Sequence, residues 1–159
     1  MTKHILHTLI LAGLALACTT PMEKDMTPPE ILPVGDVASP LNCDVFTPGG
    51  VLPFHYLFTD DVALGAFNLE VHSNADHHTH GTEAGECEFE HAHEGLTEKP
   101  WVFNKDFAIP AGSTQYEADI QIPIPENIAH GEYHFMIRLT DAAGWQQLRS
   151  VGILIDEEE

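Results

Sequence analysis

Positive charge is scarce in this chain. Six Lys and Arg stand against 25 Asp and Glu in 159 residues, a formal charge of −19. A surface of that sign repels phosphate backbones and gains nothing at anionic lipid headgroups, which excludes nucleic acid and polybasic membrane docking and leaves cations as the natural partners. Long apolar runs are missing as well. The longest, Leu9 to Ala17 around Gly13, falls far short of the ~20 residues that span a bilayer. Cysteine is limited to Cys18, Cys43 and Cys87. Helical periodicity is almost absent after Glu30. The strong signatures of hydrolases and nucleotide enzymes are missing too: there is no His-Glu-x-x-His helix, Ser nucleophile elbow, phosphate loop or dinucleotide fingerprint. His78-Thr79-His80-Gly81-Thr82-Glu83 does not continue into a His-x-His-x-Asp-His pattern, and no methionine follows Cys87 and His91 closely enough for a blue-copper site. An enzyme is therefore not expected.

The amino terminus reads as an address. Lys3, the short apolar run and small Ala17 before Cys18 fit a secretory signal over residues 1–17. Leu14-Ala15-Leu16-Ala17-Cys18 resembles the lipobox of bacterial lipoproteins, with leucine one place later than preferred. That resemblance implies cleavage before Cys18, lipid on its sulfur, and an envelope lipoprotein of the outer membrane, facing the periplasm or the cell surface. The competing reading is an ordinary signal with an incidental cysteine. Two or three acyl chains would anchor the protein stably where one would not. Cleavage would remove Lys3, His4, His7 and no acid, which leaves nine histidines and one more net negative charge. Residues 18–29 form a proline-bearing tether. Cys43 and Cys87 then remain as an even pair, able to form one disulfide in an oxidising compartment or to leave a Cys87 thiolate among metal ligands.

Residues 30–159 alternate with period two. Leu52, Phe54, Tyr56 and Phe58 form one such row. Phe67, Leu69 and Val71 form another, followed by Trp101, Phe103, Lys105 and Phe107, then by Tyr133, Phe135, Ile137 and Leu139, and last by Val151, Ile153 and Ile155. Such rows mark strands with one buried face, and turn signals such as Thr47-Pro48-Gly49-Gly50 and Asp141-Ala142-Ala143-Gly144 separate them. With strands near Glu30–Val34 and Tyr116–Ile122, the spacing predicts an all-β, immunoglobulin-like antiparallel β-sandwich of about seven strands, carrying a His/Glu-rich insertion over residues 72–98.

That insertion holds six of the nine remaining histidines and, from Glu70 to Glu98, eight carboxylates. Neutral imidazole is a common ligand of borderline divalent metals. In His78-Thr79-His80 and His91-Ala92-His93, side chains at i and i+2 of a strand share a face about 6–7 Å apart, within reach of one ion. A strand over Cys87, Phe89, His91 and His93 would set both later histidines on one face. His72 ends the preceding strand, and His134 lies on the outward phase of a late one. The candidate ligands are His72, Asp76, His77, His78, His80, His91, His93 and His134, with Glu83, Glu86 and Glu90 as further carboxylates. Zn2+ fits a mixed His/carboxylate set, and Cu2+ would bind the same atoms more tightly where supplied. His55 and His130 read as surface or turn residues.

Pro28-Pro29-Glu30-Ile31 after the lipobox, Val71-His72 leading to Asp76-His77-His78-Thr79-His80, Gly131-Glu132-Tyr133-His134-Phe135 and Asp141-Ala142-Ala143-Gly144 together resemble an uncharacterised family of Bacteroidota lipoprotein domains over Pro28 to Asp156. The resemblance implies an immunoglobulin-like, metal-associated domain and carries over His72, His78, His80 and His134. It does not cover the run from Glu83 to Glu98. The resulting expectation is a lipid-anchored metal-binding protein that captures or delivers a divalent cation, with an envelope transporter or partner protein as the recipient. Its rival is an adhesion or scaffold module that binds a protein or glycan without metal.

Overall fold

The structure is a computed structural model, and it describes residues 24–74, 87 and 99–156. Eight strands follow in chain order: β1 (Glu30–Pro33), β2 (Asp44–Phe46), β3 (Val51–Thr59), β4 (Leu64–Ser73), β5 (Phe103–Ala108), β6 (Gln115–Pro123), β7 (Gly131–Asp141) and β8 (Gln146–Ile155). They form two sheets, β1-β3-β6 and β2-β8-β7-β4-β5. The expected antiparallel sandwich is present, with two departures. β2 is an eighth strand that the alternation did not mark, and it pairs in parallel with β8. β5 begins at Phe103 rather than Trp101, although Trp101 is buried.

The inward rows explain the layers. β3 buries Leu52, Phe54, Tyr56 and Phe58, β4 buries Phe67, Leu69 and Val71, and β7 buries Tyr133, Phe135, Ile137 and Leu139. Aromatic rings bridge the two sheets: Phe54 stacks on Phe135 at 5.7 Å and on Phe67 at 6.1 Å, and Phe58 meets Phe67 at 4.9 Å. Burying one such side chain contributes about 1.5–3 kcal/mol.

The strand order is that of an immunoglobulin-like sandwich, with β1, β3, β6 as strands A, B, E and β4, β7, β8 as C, F, G. Tyr133 forms the corner such folds place at the start of strand F: its hydroxyl donates to Ala129 O at 2.6 Å and accepts the Trp101 N–H at 3.1 Å. Two residues on, where antibody domains carry the cysteine bonded to strand B, this chain has Phe135 stacked on Phe54 of β3.

Each end of the sandwich has its own character. At one end, Gly65 lies so close to β7 that a Cβ would stand 2.7 Å from Asp141 O, and Asp141 Oδ1 closes the β7–β8 turn by accepting from Gly144 N and Trp145 N. The segment before β1 straps onto that end: Trp145 Nε1 donates to Asp25 O at 3.2 Å, and Thr27 Oγ1 donates to Asp61 Oδ2 at 3.1 Å. At the other end, β4 runs out into the His-rich segment, beside the start of β7 and the close of β8.

Candidate metal site

His72 and His134 come together at that second end. Both lie on the phase that faces away from the core, and β4 and β7 pair so that the two are direct cross-strand partners. Their ring centroids are 5.5 Å apart with the planes at 81°. Glu70, two residues before His72 on the same face, sets Oε1 3.1 Å from His72 Nδ1. The other carboxylate oxygen of Glu70 accepts from Asn104 Nδ2 on β5 at 3.5 Å. On the β7 side, Asn74 N donates to Glu132 O at 2.8 Å and Asn74 Nδ2 to Glu132 Oε2 at 3.3 Å. Although it points away from the core, His134 is only 7% exposed. Burial on an outward phase marks a covered position rather than a solvated one.

The row containing these imidazoles continues into β8, where Gly152 is the partner of His134. Gly152 N–H donates to Asn42 Oδ1 at 2.8 Å, and its carbonyl accepts the Cys43 N–H at 2.8 Å. Cys43 and Cys87 are disulfide-bonded, with their Cα atoms 5.5 Å apart. Cys87 Sγ stands 3.6 Å from where a Cβ on Gly152 would be. One residue of the His/Glu-rich segment is thereby fixed next to the His134 position. Asp76, His77, His78, His80, His91 and His93, and the lipidation candidate Cys18, lie outside the described residues.

Some ionisable pairs carry no signal in the alternation. His130 Nδ1 lies 3.3 Å from Asp156 Oδ1 at the same end as His134. The partner carboxylate is 26 residues away, joined only by the β7–β8 pairing, so a turn reading of His130 misses it. His55 Nε2 meets Glu117 Oε1 at 2.6 Å on the outer face of the smaller sheet. Among the described residues, one trio of ligand atoms lies mutually within 4.8 Å, and it is Asp25, Asp60 and Asp61 at the strap end, not the histidine pair with Glu70. A cavity of about 350 Å³ beside it is lined by Thr27, Glu30, Asp60, Asp61, Thr114 and Gln115. Exposed acids commonly cluster without a ligand, and the backbone amides of Val62 and Ala63 already occupy Asp60 Oδ1.

Burial raises the phenol pKa values of both core tyrosines. For Tyr133 the Trp101 N–H opposes the shift, and for Tyr56 the Arg149 guanidinium does. Neither is poised as an acid or base near neutrality.

A family model described as a domain of unknown function (DUF4625) matches residues 16–156. No curated protein matches the chain. Among solved structures, the sporulation control protein Spo0M of Bacillus subtilis is similar at a TM-score of 0.42 and 10% identity, over 84% of this chain and 51% of its own. The chain thus spans about half of Spo0M, and a likeness of this degree carries no argument about role.

Proposed function

The chain belongs to the DUF4625 family, and from that premise we propose that it is a lipid-anchored envelope protein that binds a divalent cation, zinc first, for capture or delivery. The observation that carries this reading is the register pairing of His72 with His134 beside Glu70. Two imidazoles on one tetrahedral ion, with Zn–N bonds of about 2.0–2.1 Å, set their ring centres about 5 Å apart, close to the 5.5 Å found. Glu70 Oε1, 3.1 Å from Nδ1, leaves Nε2 as the nitrogen that His72 offers the ion, and a ring rotation that aimed the Nδ1–H at it would give the carboxylate–imidazole–metal arrangement that orients a ligand and raises its basicity. His134 supplies the second nitrogen. The remaining positions fall to the His-rich segment, with His78 and His80 as first candidates and His77, Asp76, His91 and His93 behind them. Cu2+ competes for the same atoms. The lipid on Cys18 and the place in the outer membrane belong to the same proposal, as do the Bacteroidota origin and the role as a binder rather than an enzyme.

The test is metal titration of tag-free protein. Wild type takes up Zn2+ in the micromolar range or tighter, while His72→Ala/His134→Ala loses at least about tenfold in affinity. Between pH 7.5 and 5.5 the wild-type affinity falls, because a ligating imidazole must be neutral. An affinity unchanged by the double substitution, or flat across that pH range, removes the imidazole site. The scaffold reading draws on one observation, the nine-residue β6, which among the described residues pairs on one side only and so offers a template for a partner's strand. It predicts no thermal shift with zinc.

A further inference from the structure

The disulfide ends the same row as the two histidines. Gly152 faces His134, and His134 faces His72. Directly facing residues of antiparallel strands hold their side chains about 4.5–5.5 Å apart. Gly152 contributes no side chain, and Asn42 Oδ1 and Cys87 Sγ stand 3.5 and 3.6 Å from its absent Cβ, which sets the sulfur beside that place on the face. Sulfur, imidazole and imidazole therefore succeed one another across β8, β7 and β4.

We propose that reduction of the Cys43–Cys87 bond turns this row into a sulfur-containing metal site, with both thiolates and His134 as ligands and His72 as the fourth, selective for thiophilic ions such as Zn2+ or Cu+. The proposal rests on the reading of His72 and His134 as ligands and adds two sulfurs to it. A dithiol reductant supplies two electrons and two protons. The S–S bond breaks, Cys43 and Cys87 become thiols, and the reductant closes to its own disulfide. Ion binding then displaces both thiol protons to solvent. The geometry allows the exchange. Two sulfurs each about 2.3 Å from a tetrahedral ion lie about 3.8 Å apart, and Cα atoms 5.5 Å apart accommodate either arrangement by side-chain rotation. The ion then takes over the link that the covalent bond had provided. While oxidised, the row offers nitrogen and oxygen donors alone, so the thiol poise of the compartment sets how tightly a thiophilic ion is held.

Co2+ is the probe, in the full chain carrying Cys18→Ser so that Cys43 and Cys87 are the only thiols. The reductant is a water-soluble phosphine, since a dithiol would itself bind cobalt. Reduced protein is expected to bind one Co2+ with thiolate-to-cobalt charge transfer in the near ultraviolet and tetrahedral bands in the visible, both displaced by Zn2+. Oxidised protein shows no such charge transfer. Cys43→Ser/Cys87→Ser abolishes the band under the same reducing conditions, and His134→Ala weakens the reduced-state affinity about tenfold. A reduced chain without the band, while oxidised binding still depends on His72 and His134, overturns this proposal alone. A band indifferent to His134→Ala overturns the shared row. Loss of His72/His134 dependence in the oxidised protein overturns the earlier reading separately.

Discussion

Replacing both Cys43 and Cys87 by alanine tests what the cross-link contributes to the fold. The bond closes a loop with a sequence separation of 44 residues, which includes β2, β3, β4 and more than half of the His-rich segment. The entropy that such a closure removes from the unfolded chain amounts to about 4 kcal/mol at 25 °C. Domains of this size have a total stability of about 5–15 kcal/mol, so this is a large share. A local effect adds to it: β2 has three residues, paired with β8 at Asp44, Val45 and Phe46, and Cys43 immediately precedes it. Urea unfolding followed by far-ultraviolet circular dichroism should show the variant losing about 3–4 kcal/mol relative to the oxidised parent. At a urea slope of about 1.5–2 kcal/mol/M the midpoint falls by about 2 M. Because the effect lies in the unfolded state, amide protection at the centre of β7 should decline with the global stability, whereas Val45 and Phe46 lose more through local opening. A stability loss under about 1 kcal/mol would refute the loop-entropy argument and mean that residual structure already keeps residues 43 and 87 close in the unfolded chain.

Two further outcomes follow from the packing. Gly65→Ala would drive a Cβ against the carbonyl oxygens of Thr140 and Asp141, at 2.9 and 2.7 Å; these are backbone atoms of the paired strand, so a loss of about 1–3 kcal/mol is expected, and an unchanged melting temperature would contradict the close approach. Burial holds the Tyr133 phenol pKa above its ordinary value, so the neutral form is the one the fold prefers. The stability this represents is complete below about pH 10, the unfolded value, and is lost as pH rises through the folded value. Absorbance at the phenolate band should accordingly show Tyr133 ionising with alkaline unfolding rather than ahead of it, as comparison with Tyr133→Phe would reveal.

The large strands were legible because each carries one apolar phase. Phe54, Phe67 and Phe135 sit in alternating runs, and the sandwich is the arrangement that lets all those phases face one another. β2 was not legible. Asp44-Val45-Phe46 has no alternation, and its strand character comes from lying along β8, a tertiary cause. Trp101 continues the phase of Phe103 and so reads as strand, but its burial comes from packing on Tyr133 at 6.4 Å and from its N–H bond to the phenol. The outward phases of His72 and His134 could be read from their neighbours. Their contact could not, since it requires that β4 lie next to β7 and in this register. His130 with Asp156, and Asp25 with Asp60 and Asp61, depend on pairings between distant segments in the same way, and residue type alone does not announce them.

The strap formed by Asp25 and Thr27 gives the molecule a polarity. Its bonds to Trp145 and Asp61 hold the amino-terminal segment at the end where β4 begins, while His72 is eight residues further along that strand, about 25 Å away at ~3.3 Å per residue. The imidazoles of the proposed ligands His72 and His134 thus lie at the far end of the sandwich from the amino-terminal strap. Under the proposed lipid anchor at Cys18, exchange with a neighbouring molecule would take place at the end of the domain remote from the attachment, and a longer or shorter stretch before the strap would leave that end unaltered.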